Sequence, residues 1–374
     1  MVLLIQNAPE VGSEFLEYAL VESRWPEDRS TALLLFDHLT EPQAQTRPAF
    51  GLSGLPRFDI RLRGSNTWLD KAWQDLFVPN LSDAAPALLA IADRHLRRVF
   101  QLLVAVGSAR PRWDPVSFSR SAVEPHPQDH YREPVDALID AARDCLESLL
   151  NDGDDLGVAY SNAWADSDVP ILRRLGVHGW SCRTDVDGTA KIARLRECRW
   201  LFDHELSHEV FRLIEAALPS AAGVVADALV ADVLAGFDDI ADKDHRAYEQ
   251  FNALAWITRH APGLQTAREA FEKAQAKNPK FEEREHPDMR SWMEVASVQP
   301  RPPMTAADLH ASITADAADA IAQLLPYEHV SFPSDGPTWH DALGVLVEAV
   351  RDHPADGFAV LDAAGGDHLD IVRG

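Results

Sequence analysis

The string with the most specific chemistry in this sequence is His204-Glu205-Leu206-Ser207-His208. Two histidines one helical turn apart can hold a zinc ion, and the glutamate between them can activate a water molecule. This pattern is typical of zinc-dependent metallohydrolases. A hydrolase of that kind would use His204, Glu205 and His208.

The residues around this string favour a structural role. Asp203 and Ser207 are both residue types that cap helix N-termini, so we expect a helix to begin within the string rather than to carry it in its middle. No glutamate lies between Glu215 and Glu249 to supply a nearby third ligand. We therefore predict no metal at this position and keep the zinc-dependent metallohydrolase as the alternative function.

A second string, Asp238-Asp239-Ile240-Ala241-Asp242, matches the DDxxD pattern with which class I terpene synthases bind magnesium and diphosphate. Those enzymes need a second metal-binding motif, and none follows Asp242. The string is typical of an acidic helix end in solvent. Phosphate-loop, dinucleotide-binding and nucleophile-elbow motifs are also missing from the sequence. The sequence therefore predicts no catalytic residue and no cofactor.

Three dense segments, residues 117–129, 171–180 and 284–293, interrupt the otherwise regular pattern. Two of them are polar and loop-like. A long polar loop among helices is either held by its own hydrogen bonds or forms a contact surface. We favour structural clamping and leave a functional contact open. The candidate clamp or contact residues are Arg120, Glu124, His126, Arg173, Arg174, Arg284, His286 and Trp292.

The elements that must position these residues are helices. Apolar residues recur at spacings of three and four along most of the chain, which is typical of amphipathic helices. One example is the set Leu138, Ile139, Ala142, Leu146 and Leu149. Residues 58–62 alternate apolar and polar side chains and could form one short strand. The sequence predicts an all-α protein.

The helices recur at a regular interval. Helix starts are expected near Pro134, Asp168, His204 and Asp244, at intervals of 34, 36 and 40 residues. These intervals are close to the periods of two-helix repeats, so we predict degenerate repeats that form an α-solenoid-like array. Residues 1–112 would form an N-terminal helical block, residues 113–133 a polar connector loop, and residues 134–374 the array, truncated at its C-terminal end.

Composition restricts the partners and the compartment. The chain has 59 acidic and 35 basic residues, a formal net charge of −24, and such a surface repels nucleic-acid phosphates. Cys145, Cys182 and Cys198 lack CxxC spacing and are typical of reduced thiols. No apolar run reaches the roughly 18 to 20 residues of a membrane span. We expect a cytoplasmic protein that binds neither nucleic acid directly nor a membrane.

The three dense segments, together with residues 137–147 (ALIDAARDCLE) and 208–213 (HEVFRL), resemble the helical C-terminal region of bacterial antiphage-defence proteins. The resemblance extends from residues 33–41 (LLLFDHLTE) to Asp370. In that family the region usually follows an N-terminal SIR2-like NADase or a related effector domain. The resemblance implies a non-catalytic scaffold or sensor that binds a protein partner or self-associates, while a separate domain destroys NAD.

Overall fold

The structure is a computed structural model that describes residues 13–47, 57–129, 132–289, 302–328 and 337–364. Of these residues 70% lie in helices and 4% in strands, so the predicted all-α class is confirmed. Among them, no helix is both long enough and apolar enough to cross a membrane. The chain divides into two units, Met1–Trp292 and Met293–Gly374.

The N-terminal part of the first unit combines helices with one β-hairpin. Its elements are α1 (Ser13–Val21), α2 (Arg29–Leu39), β1 (Pro42–Arg47), β2 (Arg57–Leu62), α3 (Asn66–Ala72), α4 (Leu81–Ala105) and the short α5 (Pro115–Ser119). The strands pair antiparallel, with Pro42 opposite Leu62. The strand predicted from the alternation at residues 58–62 is therefore confirmed.

The remainder of the first unit is a succession of helices. They are α6 (Asp136–Asn151), α7 (Asp155–Ala165), α8 (Pro170–Cys182), α9 (Gly188–Glu197), α10 (Ser207–Ala217), α11 (Gly223–Ala235), α12 (Lys243–His260) and α13 (Gln265–Lys277). Helices α6, α8, α10 and α12 begin within three residues of the predicted starts. Asp154, Asp187 and Asp242 accept hydrogen bonds from the first turns of α7, α9 and α12, which explains why such short breaks restart a helix.

The second unit contains α14 (Ala306–Ala315), α15 (Ala317–Leu324), α16 (Trp339–Asp352) and α17 (Pro354–Ala364). Thr305 caps α14 by accepting a hydrogen bond from the Asp308 amide. The unit has its own apolar core, which includes Leu309, Ile321 and Val345. The boundary between the two units lies inside the helical array that the sequence predicts at residues 134–374. The predicted truncation of that array at its C-terminal end falls on residues outside the described ranges.

Helix α8 is the central element of the first unit. Every residue from 170 to 180 is buried. The N-terminal half of the helix contributes to one apolar core of the unit and the C-terminal half to another. A helix that is buried all round is normally apolar, yet α8 carries Arg173, Arg174 and His178. Buried charges of this kind must find partners inside the protein.

A close approach of two backbones sets the position of α8. A Cβ atom added at Gly176 would lie 2.1 Å from the backbone nitrogen of Ala165 and 2.6 Å from the carbonyl carbon of Trp164. No side chain fits in that space, so α7 and α8 touch through their backbones. The buried Trp164 in turn donates a hydrogen bond of 2.7 Å to Asp93 on α4, which ties the helix pair to the N-terminal helices.

We therefore expect Gly176→Ala to lower the free energy of unfolding by about 2 kcal/mol or more, because the added methyl group must push two packed helices apart. Urea denaturation followed by circular dichroism measures this change. Gly223→Ala is the matched control, since a Cβ at Gly223 meets nothing within 4 Å, and it should change stability by less than about 1 kcal/mol. Equal stability of the two variants would contradict the proposed contact.

Candidate functional site

The guanidinium of Arg174 on α8 has a partner for each of its five N–H groups. Its Nε and Nη2 atoms donate to the two carboxylate oxygens of Glu209 on α10, at 3.0 and 2.8 Å. Its Nη1 atom donates to the carbonyls of Ser117 and Arg120, at 2.7 and 2.6 Å. Nη2 also donates to the carbonyl of Ser121, at 2.9 Å. This is the full donor capacity of an arginine.

Glu209 binds the polar segment as well as Arg174. Its Oε1 atom also accepts a hydrogen bond of 3.1 Å from the amide of Val123. Burial favours the neutral carboxyl group, but the charge of Arg174 outweighs it and keeps the pKa of Glu209 below its usual value. The pair is therefore ionised and shielded from water. It joins α8 and α10 to the polar segment, residues 117–129.

A second set of arginines holds the same segment against α6. Arg120 and Arg143 share the carboxylate of Asp140, with N–O distances of 2.8 and 2.7 Å. Burial raises the pKa of Asp140, but the surrounding arginines outweigh this effect and keep that pKa below its usual value. Arg143 also donates to the carbonyl of Val123, at 3.0 Å. Further acidic partners are Asp129 and Asp136 for Arg120, and Asp144 for Arg143.

His208 forms the third attachment. Its Nδ1 atom lies 2.8 Å from Asp288 and its Nε2 atom 3.1 Å from Glu124. Burial opposes a charge on the ring, but these two carboxylates raise the pKa of His208 to about 9. The hydrogen bond from His208 lowers the pKa of Glu124 to about 2. The imidazolium can donate from both nitrogens, so it links the polar segment to the loop that contains Asp288.

We refer to the set Arg120, Arg143, Arg174, Glu209 and His208 with their partners as the buried clamp. Three of the residues predicted from sequence, Arg120, Glu124 and Arg174, belong to it. His126 lies beside it, with its ring 5.6 Å from that of His208 in an edge-on contact.

The other predicted residues lie outside the clamp or outside the described ranges. Arg173 pairs with Asp203, Arg284 lies 3.2 Å from Glu249, and His286 lies 3.9 Å from Glu285. Trp292 falls outside the described residues. Sequence reasoning missed Arg143, Asp140, Glu209 and Asp288. The available signal was a charged residue on an otherwise apolar helical face, as at Arg143 within residues 137–147.

The His204–His208 string does not converge on one point. Asp203 caps a short turn, His204–Leu206, and α10 begins at Ser207, so the predicted helix start within the string is confirmed. His204 is half exposed and lies 3.3 Å from Asp239, whereas the ring of His208 is buried between two carboxylates. Within the described residues, no group of three ligand atoms that lie within 4.8 Å of one another includes His204 or His208. The zinc-dependent metallohydrolase stays the alternative function.

The outer side of the polar segment is chemically different from its inner side. Phe118 is 60% exposed, and Pro125 and Pro127 are exposed as well. A cavity of about 910 Å³ lies next to this side, and its lining includes Ile60, Leu103, Trp113 and Val116. The segment therefore has a charged inner side held in the protein and a partly apolar outer side open to solvent.

No family model, curated protein or solved structure matches the chain. The arginines of the buried clamp all bind carboxylates and backbone carbonyls of the protein itself, which is the arrangement expected of residues that hold a loop in place. Whether the outer side of the polar segment binds a partner stays a prediction.

Arg174→Ala is expected to lower the free energy of unfolding by about 3 to 5 kcal/mol, because it leaves Glu209 buried without a counter-charge. Chemical denaturation of wild type and variant measures the loss. Lys71→Ala is the matched control, since Lys71 pairs with Asp75 at the surface and such pairs contribute about 1 kcal/mol or less. If both variants lost the same small amount, the buried pair would not be a main structural support.

His208→Gln is expected to lose stability in a pH-dependent way. The folded protein raises the pKa of His208 from 6.5 to about 9, so the imidazolium stabilises the fold fully below about pH 6.5 and ceases to do so as the pH rises through about 9. The stability difference between wild type and variant should be on the order of 2 to 3 kcal/mol near neutral pH and should shrink above about pH 9.

Urea titrations between about pH 6 and about pH 10 measure this difference. His38→Gln is the control, because burial lowers the pKa of His38 and its titration lies below that alkaline range. A stability difference for His208→Gln that did not change between neutral and alkaline pH would show that His208 is not held as an imidazolium.

Proposed function

We propose that this chain is a non-catalytic helical interaction module of an antiviral defence protein, and that it binds a protein partner through the outer side of the polar segment. The observation that carries the proposal is the buried clamp. It fixes residues 117–129 in one shape by charged groups that are removed from solvent. A loop that is already ordered loses little conformational entropy on binding.

The exposed side chains of the segment are suited to a protein contact. Phe118 lies against Trp113, with ring centroids 6.4 Å apart, and the neighbouring cavity is lined in part by apolar side chains, Trp113 among them. Exposed aromatic residues at the rim of an apolar depression are typical of protein interfaces, whose energetic centres are often aromatic. A partner that inserts an apolar side chain into the cavity would cover Phe118 at the same time.

Charge favours a protein over a nucleic acid as the partner. Four arginines from the basic stretches at residues 94–98 and 194–199 form ion pairs within the chain, so these four add little to any basic surface. The pairs are Arg94–Asp37, Arg97–Asp93, Arg194–Asp166 and Arg196–Asp232. With a net charge of −24, the module would associate fastest with a basic protein surface and would repel a phosphate backbone.

The succession of helices supports the solenoid-like array as part of this proposal. Helix α6 packs against α7 and α8, α8 against α10, and α10 against α12. Each helix pair therefore contacts the next, as in repeat proteins. The resemblance to the helical region that follows a SIR2-like effector supports the antiviral assignment, with any NAD chemistry left to a separate domain and the cytoplasm as the place of action.

The test is protection of bacteria against phage. Phe118→Asp should abolish protection by the intact gene and its genomic neighbours, without a change in the melting temperature of the purified chain, because a charge at the centre of an apolar contact weakens binding. Efficiency of plating on a panel of phages is the measurement. Phe15→Asp is the matched control, because Phe15 is also 60% exposed but lies on α1, and it should leave protection intact.

Three results would overturn the proposal. They are a wild-type gene that gives no protection against any phage of the panel, protection that survives Phe118→Asp, and protection that His204→Ala abolishes together with an EDTA-sensitive hydrolase activity. The last result would establish the zinc-dependent metallohydrolase in place of the interaction module.

A further inference from the structure

Three potential metal ligands converge at a place that the buried clamp does not use. They are Glu147 on α6 and His178 and Cys182 on α8, and their ligand atoms all lie within 4.8 Å of one another. His178 and Cys182 are four residues apart on one helix and therefore lie on the same face. In the described residues no other group of three such side chains converges this closely.

The distances suit a zinc ion. Zinc binds imidazole nitrogen at about 2.0 Å and thiolate sulfur at about 2.3 Å, and tetrahedral coordination therefore places those two atoms about 3.6 Å apart. In the structure the Nε2 atom of His178 lies 3.6 Å from the Sγ atom of Cys182. The His178–Glu147 distance of 2.7 Å is that of a hydrogen bond, so the Glu147 side chain must rotate slightly to admit the ion.

The geometry also argues against a catalytic triad at this place. In a Cys–His–carboxylate relay, the thiol and the carboxylate bind opposite nitrogens of the imidazole ring. Here both Cys182 and Glu147 face the same nitrogen, Nε2 of His178. Three electron-pair donors that lie within 4.8 Å of one another suit a cation.

The charges around the centre agree with this. The carboxylate of Glu147 lies 2.7 Å from the ring of His178, so the centre contains negative charge that a bound cation would neutralise. Lys191 on α9 donates a hydrogen bond of 2.8 Å to the carbonyl of Ser181, so its ammonium group is held by the backbone.

We propose that Glu147, His178 and Cys182 bind one Zn²⁺ ion. A thiolate, an imidazole and a carboxylate together favour zinc over magnesium or calcium, which prefer oxygen ligands. His178 is buried, whereas the Glu147 side chain is 36% exposed, so the fourth coordination position opens to water on the Glu147 side. The ion would join α6 to α8, the two helices that supply Arg143 and Arg174 to the buried clamp.

The experiment uses the full chain, equilibrated with Zn²⁺ and freed of excess metal. Atomic emission spectroscopy should find one zinc per chain, and competition with a chromophoric chelator gives the affinity. Cys182→Ser and Glu147→Gln should each weaken zinc binding at least about tenfold. Replacement by Co²⁺ should give a thiolate charge-transfer band that Cys182→Ser removes. Circular dichroism confirms that each variant is folded.

Cys198→Ser and His204→Gln are the controls, since both residues lie outside the proposed centre, and both should keep the wild-type affinity. The proposal fails if the wild-type chain binds no stoichiometric zinc, if Cys182→Ser binds zinc as tightly as wild type does, or if His204→Gln abolishes binding. The zinc measurements do not depend on the defence phenotype, so they test the zinc centre independently of the proposed interaction module.

Discussion

The pairing of Arg174 with Glu209 is the interaction on which the first unit depends. Transfer of either ion alone into the protein interior would cost several kcal/mol, and the two together are tolerated only because every hydrogen-bonding group of the guanidinium has a partner. Three of those partners are backbone carbonyls of the polar segment. The pair therefore forms only when the segment, α8 and α10 are all in place, which makes their positions interdependent.

This constraint also explains the unusual composition of α8. The helix lies between two apolar cores, and its glycines let neighbouring elements come close. Gly176 admits the backbone of α7, and a Cβ atom at Gly179 would lie 2.9 Å from the Leu146 side chain on α6. Close packing of this kind removes water from the helix surface, and it therefore requires that Arg174 and His178 find ionic partners inside the protein.

The two strings with apparent metal chemistry show why local sequence is a weak guide to a site. The His204–His208 pair has the right spacing only if it lies within one continuous helix. Asp203 starts a separate turn, and α10 begins at Ser207. His204 therefore lies beside Asp239, whereas His208 lies between Glu124 and Asp288. In the DDxxD string, Asp242 caps α12 and Asp239 faces His204. The closest convergence of ligand types in the described residues instead combines α6 and α8, which no contiguous motif reveals.

The sequence by itself determined the helical class, the helix starts near residues 134, 168, 204 and 244 and the strand at 58–62, because periodicity and capping act over a few residues. It also marked Arg120, Glu124 and Arg174 as unusual. Only the tertiary structure decided that Arg143, Glu209 and Asp288 are their partners or neighbours and that Glu147 lies beside His178 and Cys182. Those contacts join residues on separate helices, and the packing of α8 between two cores sets their distances.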